Sequence, residues 1–333
     1  MRCLLFNVLL LSFLLYEVSC SMKGEWREFK LRYKKSYESK KEERLRFKVF
    51  KENMKAIRKH NKRFNRKAEL FEKGMNGFGD LTPGEFEQRY GLFSQPHEQN
   101  FDQPNPYGRN VSTPGVVSGV PDQVDWRDKG AVTPVKDQGP CGSCWIFSAV
   151  QVLESYHFLK TGELVSLSEQ NVVDCFSDDT CDGGNPQDAF NFVREHGINR
   201  ESDYPYQQKW GQCHPYENKT LNITFDSLKY IESSVDPEKQ MKVAVAKHGP
   251  MSICMYVTAK WQFYKSGVWY HKKCSERTNH SMMLVGYGTE NGQDYWLIKN
   301  SWGTHWGLDG YIKVIRNKHP NYCGMTSESV FLI

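Results

Sequence analysis

Beyond its first twenty residues, this 333-residue chain has no apolar run approaching the ~20 residues that a membrane-spanning helix needs. No later segment could span a membrane as a helix. The run from Leu4 to Leu15 is itself too short to span. With Arg2 before it and Ser19 and Cys20 after it, residues 1–20 have the layout of a cleaved secretory signal. Proline is missing between Gly24 and Lys67, and no glycine follows Gly24 there, so this charged, helix-favouring stretch is expected to form a long helix pair. No internal repeat is present, which excludes a solenoid. A second Cys-x-x-Cys to match Cys141 and Cys144 is absent, which a zinc ribbon would need, and no βαβ pattern precedes that pair, which a thioredoxin-like dithiol would need.

What is present begins with charge. Residues 1–119 carry a net +9 and residues 120–333 a net −4, giving +5 overall. The basic stretch KHNKRFNRK (Lys59 to Lys67) raises the question of nucleic acid, but a secreted chain rarely meets any; a solvated face, or attraction between the two halves, is the expected role. Within the helical stretch Glu42, Arg46, Phe50, Asn53, Ile57 and Asn61 recur three or four apart. At about 100° per residue all six share one helix face. Residues 93–120, rich in Pro, Gly, Gln, Asn and Ser, read as a linker.

Past the linker the texture changes. SCWIFSAVQVLESYHFLKTGE predicts a helix of about four turns, with Ser143 available near its start and an end near Thr161 and Gly162. After about Ile231 short runs rich in Val, Ile, Tyr and Trp, broken by glycine, predict strands. The fold class expected is α+β with two lobes, helical over about 120–230 and antiparallel β over about 231–333.

Removing residues 1–20 leaves eight of the ten cysteines in a chain bound for an oxidising route, where disulfides are the default state. Cys141 and Cys144 are then a redox dithiol, half of a metal site, or a structural cysteine beside a catalytic thiol. The isolated cysteines at 175, 181, 213, 254, 274 and 323 look like a disulfide framework with a remainder.

QGPCGSCW, NHSMMLVGYG and YWLIKNSWGTHWG, in that order, resemble the catalytic segments of papain-family cysteine proteases. The six residues of the upstream helix, with Gly74, Asn76, Phe78 and Asp80 in GMNGFGD, resemble the inhibitory pro-region of the cathepsin L-like members. The resemblance implies a papain-like two-lobe fold behind a helical pro-region. The implied division is a signal at 1–20, a pro-region at 21–119 and a mature peptidase at 120–333. It implies disulfides Cys141–Cys181, Cys175–Cys213 and Cys274–Cys323, and hence Cys141 as a staple beside the nucleophile Cys144. His280 would supply an imidazolium and later protonate the leaving nitrogen, Asn300 would orient that ring, and the side chain of Gln138 would donate to the oxyanion.

The resemblance further implies that Gly183, Gly184, Asn185, Pro186, Cys254, Asn279, Ser281, Trp302, Trp306 and Glu328 fall at substrate-binding positions. Trp302 would shield the Asn–His contact and Trp306 would line the leaving-group side. Cys254 also fits a small buried hydrophobe. The chain departs from the family at Ile146, where Ala is common, and at Ser281, where Ala or Gly is usual. Asn185 and Pro186 replace an apolar pair, and Glu328 replaces the small apolar residue of cathepsin L. Sequons stand at Asn110, Asn218, Asn222 and Asn279; the last overlaps His280 and is discounted.

The implied protein is an endopeptidase made as a zymogen, since no long insertion near Cys141 or between Cys181 and Cys213 suggests a blocked cleft. No metal or organic cofactor is implied. The expected partners are protein and peptide substrates, its own pro-region and cystatin-like inhibitors, with no nucleic acid and no membrane span. The mature form is expected to be a monomer in the lysosome or outside the cell. The rivals are a pseudoprotease acting as a binding protein, which would usually have lost Cys144 or His280, and a thiol–disulfide oxidoreductase, which fails if Cys141 is bridged.

Overall fold

The computed structural model describes residues 21–90, 92, 119–177, 180–214, 220–231 and 236–333. The signal, nearly all of the linker, and the sequons at Asn110 and Asn218 lie outside the described residues. Among the described residues no helix is long and apolar enough to cross a membrane.

The glycine-free stretch forms α1 (Met22–Arg32) and α2 (Lys40–Phe64), capped by the side chains of Ser21 and Ser39. Trp26 and Phe29 of α1 bury against Phe50 of α2 as a small separate core. The mixed seam of α2 now has a physical reason. Asn53 donates to the carbonyls of Gly79 (3.0 Å) and Leu81 (2.9 Å). Asn61 donates to Lys73 O and accepts from Lys73 N–H, and Arg46 pairs with Glu85 at 2.8 Å. Phe50 holds α1, and Arg46, Asn53 and Asn61 hold the backbone of residues 73–81, so buried polar groups are satisfied.

That pinned backbone carries β1 (Phe71–Lys73), and α3 (Pro83–Arg89) follows, started by a capping box between Thr82 and Glu85. The next elements are β2 (Val124–Asp125), α4 (Cys144–Thr161), α5 (Glu169–Cys175), α6 (Pro186–His196), β3 (Leu228–Tyr230), α7 (Pro237–His248), β4 (Met251–Met255), β5 (Tyr264–Trp269), β6 (His280–Glu290), β7 (Gln293–Lys299), β8 (Tyr311–Ile315) and β9 (Val330–Leu332). The sheet runs β1-β5-β8-β7-β6-β4-β9-β3, with β2 paired to β6; β5 and β8 are parallel and the other pairs antiparallel.

Three features differ from the sequence expectation. The helix α4 runs eighteen residues, five turns rather than four, and ends at Gly162 with φ 79°. Its first residue is Cys144, but the Ser143 hydroxyl makes no cap and instead meets Tyr206 Oη at 2.7 Å. The lobe boundary near 231 is blurred: Val124–Asp125 and Leu228–Tyr230 join the sheet from before it, and α7 lies after it. Strand pairing is a long-range contact, so two- and three-residue strands leave little period in the sequence.

The first part of the chain also enters this sheet. β1 pairs antiparallel with the edge strand β5. Gly267, at φ 84°, permits the approach, since a Cβ there would lie 2.5 Å from Leu70 O.

Candidate active site

The site forms where the N-terminus of α4 meets the start of β6. Ser148, one turn into α4, donates to Met282 O at 2.6 Å, two residues past His280. Cys144 and His280 are thereby fixed on facing elements. The Cys141–Cys181 bridge and the Gly142 N–H bond to Cys181 O (2.7 Å) clamp the loop that precedes Cys144. Cys175–Cys213 and Cys274–Cys323 are also bonded, which leaves Cys144 and Cys254 free among the described residues. A Cys141–Cys144 redox couple is excluded by the first bridge.

His280 is buried, and its Nε2 lies 2.8 Å from Asn300 Oδ1. The backbone N–H of Ser301 donates to the same oxygen at 2.8 Å. An atom that accepts a backbone N–H must be the amide oxygen, so His280 Nε2 is the donor and carries the proton. Nδ1 is then the free lone pair, and it has no hydrogen-bond partner. Trp302 packs on the imidazole with ring centroids 5.0 Å apart, which keeps water from the His–Asn contact.

Gln138 is fully buried: Nε2 donates to Cys141 O at 3.0 Å and Oε1 accepts from the Ser301 hydroxyl at 2.6 Å. An amide nitrogen carries two hydrogens, so one remains for a ligand. Ser301 thus aligns Gln138 and Asn300 together, a role that its sequence context gave no signal for. Below them Lys136 is paired with Glu169 (2.6 Å) and Glu154 (3.3 Å), and Lys299 donates to Thr133. These buried charges anchor the segments that carry Gln138 and Asn300.

The electrostatics are those of a resting site. Burial pushes the Cys144 thiol up, opposed by hydrogen bonds from Ser281, Trp145 and its own backbone N–H. Burial pushes His280 down to about 4, opposed by Asn300. At neutral pH both groups are uncharged.

The remaining candidate residues divide. Cys254 and Ser281 face each other across β4 and β6, Sγ to Oγ 3.2 Å. Glu328 is half-buried, accepts from Thr278 Oγ1 at 3.0 Å and bears on the Cys254 thiol, so Cys254, Ser281, Thr278 and Glu328 line one wall. Asn279 donates to Val257 O and to Leu92 O, and the Val257 N–H donates to it in turn; this engaged side chain fits the discounting of its sequon. Asn222 is exposed. Asn185 caps α6 and Pro186 is buried as its first residue, so both have a structural task as well. Gly183 has φ 107°, and a Cβ on Gly184 would strike the Trp145 ring at 2.5 Å. Trp306, like Trp302, is fully buried in this precursor, stacked parallel to Trp261 at 6.1 Å and edge-on to Trp302 at 4.9 Å.

The first part of the chain covers this site. Phe86 and Tyr90 pack on Trp302 (5.2 and 5.0 Å), and Phe78 and Tyr33 pack on His305 (4.8 and 6.0 Å). Asn76 Nδ2 donates to Gln262 O, and Gln262 Nε2 donates to Phe78 O and Leu81 O. Gln262 and His305 went unnoticed in the sequence because neither belongs to a local pattern.

Comparison with known proteins then decides the family. Residues 120–333 match the papain family cysteine protease model, and residues 26–86 match the cathepsin propeptide inhibitor domain. The chain belongs to the papain family of cysteine proteases. This papain-family chain is 43% identical over 322 residues to a cathepsin L-like peptidase of Aedes aegypti, covering 94% of this chain and 93% of the relative. It is 42% identical to cathepsin L1 of Drosophila melanogaster, covering 92% of this chain and 84% of the relative. The digestive procathepsin L 3 of Tenebrio molitor larval midgut superposes with a TM-score of 0.82 at 36% identity, covering 93% of this chain and 98% of that one. The protein is a cysteine endopeptidase precursor of papain-like fold, with its own pro-region as inhibitor and peptides as substrates.

Proposed function

We propose that Cys144 is the nucleophile, His280 the proton-transfer group, Asn300 the residue that orients it, and Gln138 an oxyanion donor. The observation that carries this reading is the His280–Asn300 pair, sealed under Trp302 with its free Nδ1 unpartnered, beside a free cysteine at the N-terminus of an eighteen-residue helix. That terminus favours a thiolate, as does an adjacent imidazolium. Once the pro-region leaves and water returns, the desolvation that keeps both groups neutral is relieved, and a proton passes from Sγ to Nδ1.

The thiolate attacks the scissile carbonyl, and the oxyanion is held by the Cys144 backbone N–H and the spare hydrogen of Gln138 Nε2. His280 gives its Nδ1 proton to the leaving nitrogen as the C–N bond breaks, leaving a thioester on Cys144. Deprotonated His280 then takes a proton from water, the resulting hydroxide equivalent attacks the thioester, and the acid product leaves with Cys144 again a thiolate. Asn300, fixed by the Ser301 N–H, keeps Nε2–H engaged so that Nδ1 stays aimed at sulfur throughout.

The wall of Cys254, Ser281, Thr278 and Glu328 is read as the pocket for the residue two before the scissile bond. Glu328 favours Lys or Arg there alongside apolar side chains. Residues 1–20 are read as a signal, 21–119 as the pro-region and 120–333 as the mature enzyme. The mature form is read as a monomer of the lysosome or extracellular space, open to cystatin-like inhibitors.

The decisive experiment is Cys144→Ala, assayed for peptide hydrolysis after the pro-region is removed by an added protease. The expected result is a folded, inactive protein. Hydrolysis at the wild-type rate would sink the assignment.

A further inference from the structure

The two groups read as oxyanion donors stand on different segments: Gln138 before the bridged Cys141, and the Cys144 N–H behind it at the start of α4. One side chain from a distant loop ties the two segments together. Tyr206 Oη lies 3.0 Å from Gln138 O and 2.7 Å from Ser143 Oγ, 68 and 63 residues away in the chain. A carbonyl oxygen can only accept, so the phenol hydrogen goes to Gln138 O and the Ser143 hydroxyl donates to Oη. Burial pushes the phenol up, which keeps that hydrogen in place.

Tyr206 is itself held on three sides. Its N–H donates to Glu201 Oε1 at 2.9 Å, and its ring stands edge-on to Phe147 of α4 with centroids 4.8 Å apart. Glu201 in turn faces Lys136 at 3.6 Å, on the segment that leads into Gln138. Two residues past Tyr206, Gln208 closes over the turn after Gln138: Gly139 has φ 60°, and a Cβ there would lie 2.3 Å from Gln208 Oε1. The Gln138 peptide is thus pinned from both sides, by the loop of Tyr206 at its carbonyl and by Ser301 O at its N–H, 2.9 Å away.

We propose that Tyr206 is a positioning residue for the oxyanion site: its hydroxyl, donating to Gln138 O and accepting from Ser143, sets the spacing between the Gln138 Nε2–H and the Cys144 N–H. This rests on the reading of Gln138 as an oxyanion donor. Tyr206 touches no reacting atom, and it acts where charge builds on the carbonyl oxygen, in acylation and in deacylation alike. The nucleophile does not depend on it. The Ser143 carbonyl already accepts from the Ile146 N–H at 2.9 Å and the Phe147 N–H at 3.0 Å, so the first turn of α4 stays formed without the phenol.

The test uses the matured enzyme in wild-type, Tyr206→Phe, Gln138→Ala and doubly substituted forms. Phenylalanine keeps the ring against Phe147 and removes only the hydroxyl. Two quantities are measured: kcat and KM on one peptide, and the rate at which Cys144 reacts with a dipyridyl disulfide, since attack on sulfur builds no oxyanion. Tyr206→Phe should lower kcat about tenfold, because losing an oxyanion donor outright costs about a hundredfold or more and displacing one costs part of that. KM and the disulfide rate should stay within about twofold of wild type, as for an interaction made only in the transition state. In the Gln138→Ala background the same substitution should cost less than about threefold, since residues that act through one another are not additive. Ser143→Ala should lower kcat by a smaller factor with the disulfide rate kept, and it replaces the phenylalanine variant should that one not mature. A kcat unmoved by loss of the hydroxyl overturns the proposal. So does an equal fall in kcat and disulfide rate, which would mark a general loosening of the site, or the full loss recurring in the Gln138→Ala background. Failure of the underlying reading shows in Gln138→Ala alone, as a kcat equal to that of wild type.

Discussion

The contact between Phe78 and His305 can be turned into a measured latency. Phe78 is buried, with its ring against Phe86 (5.2 Å), Tyr90 (5.3 Å) and His305 (4.8 Å). Its backbone N–H and carbonyl are held by Asn76 and Gln262. Phe78→Ala keeps those backbone bonds and removes only the ring. Truncating a buried Phe costs ~3 to 5 kcal/mol. At the lower bound this multiplies the population of the opened clamp by about a hundred, at 1.4 kcal/mol per factor of ten.

The assay is alkylation of Cys144 in the intact precursor at neutral pH. Where closing is faster than alkylation, the observed rate is the reaction rate of the opened form times its population. Phe78→Ala should raise that rate about a hundredfold. Leu31→Ala, at a residue 74% exposed on the same pro-region, should leave it unchanged. A Phe78→Ala precursor that alkylates within a factor of three of wild type would refute the reasoning that this ring holds the cover closed.

Acid should open the same clamp through His305. Burial pushes this imidazole down, with Asp137 opposing the shift and Lys35 and Arg89 adding to it. The covered form therefore binds fewer protons than the open one, so docking is strongest above the free imidazole range near ~6.5, weakens as pH falls through it, and levels off below the covered value. Precursor opening in His305→Gln should rise less steeply between about pH 7 and 5, and an identical slope counts against the role. Cys141→Ala removes a bridge between residues 40 apart. Its chain-entropy cost is about 4 kcal/mol, to be read from the urea midpoint of the precursor, and an unchanged midpoint contradicts the staple reading. Glu328→Ala should lower turnover of peptides with Arg two residues before the scissile bond relative to Leu by about tenfold or more, at ~1.5 to 3 kcal/mol for a hydrogen bond to a charged group. An Arg-to-Leu ratio equal to that of wild type would put Glu328 outside the pocket.

The sequence by itself determined what depends on local order. The proline-free stretch with serines at 21 and 39 made two capped helices, and the three- and four-residue spacing from Glu42 to Asn61 made one working face. The ordered segments around Cys144, His280 and Asn300 were enough to name the family, because a shared order of residue types survives without knowledge of their contacts. Tertiary structure alone decided what those residues meet. Nothing around Phe71–Lys73 announced a strand, since it exists only by pairing with β5 some 190 residues on. Ser143 looked like a helix cap, but Tyr206, brought in from residue 206, took its hydroxyl. The upward push on Cys144 and the downward push on His280 are likewise properties of burial, and the depressed imidazole of His305 comes with the Tyr33 and Phe78 rings packed on it. Ser281 read as a small departure beside the chemistry until the β4–β6 register set its hydroxyl against the Cys254 sulfur. Helix periodicity and caps are written within a few residues, whereas desolvation, strand register and hydrogen bonds across lobes arise from segments far apart in the chain, and only their folding together gives them a value.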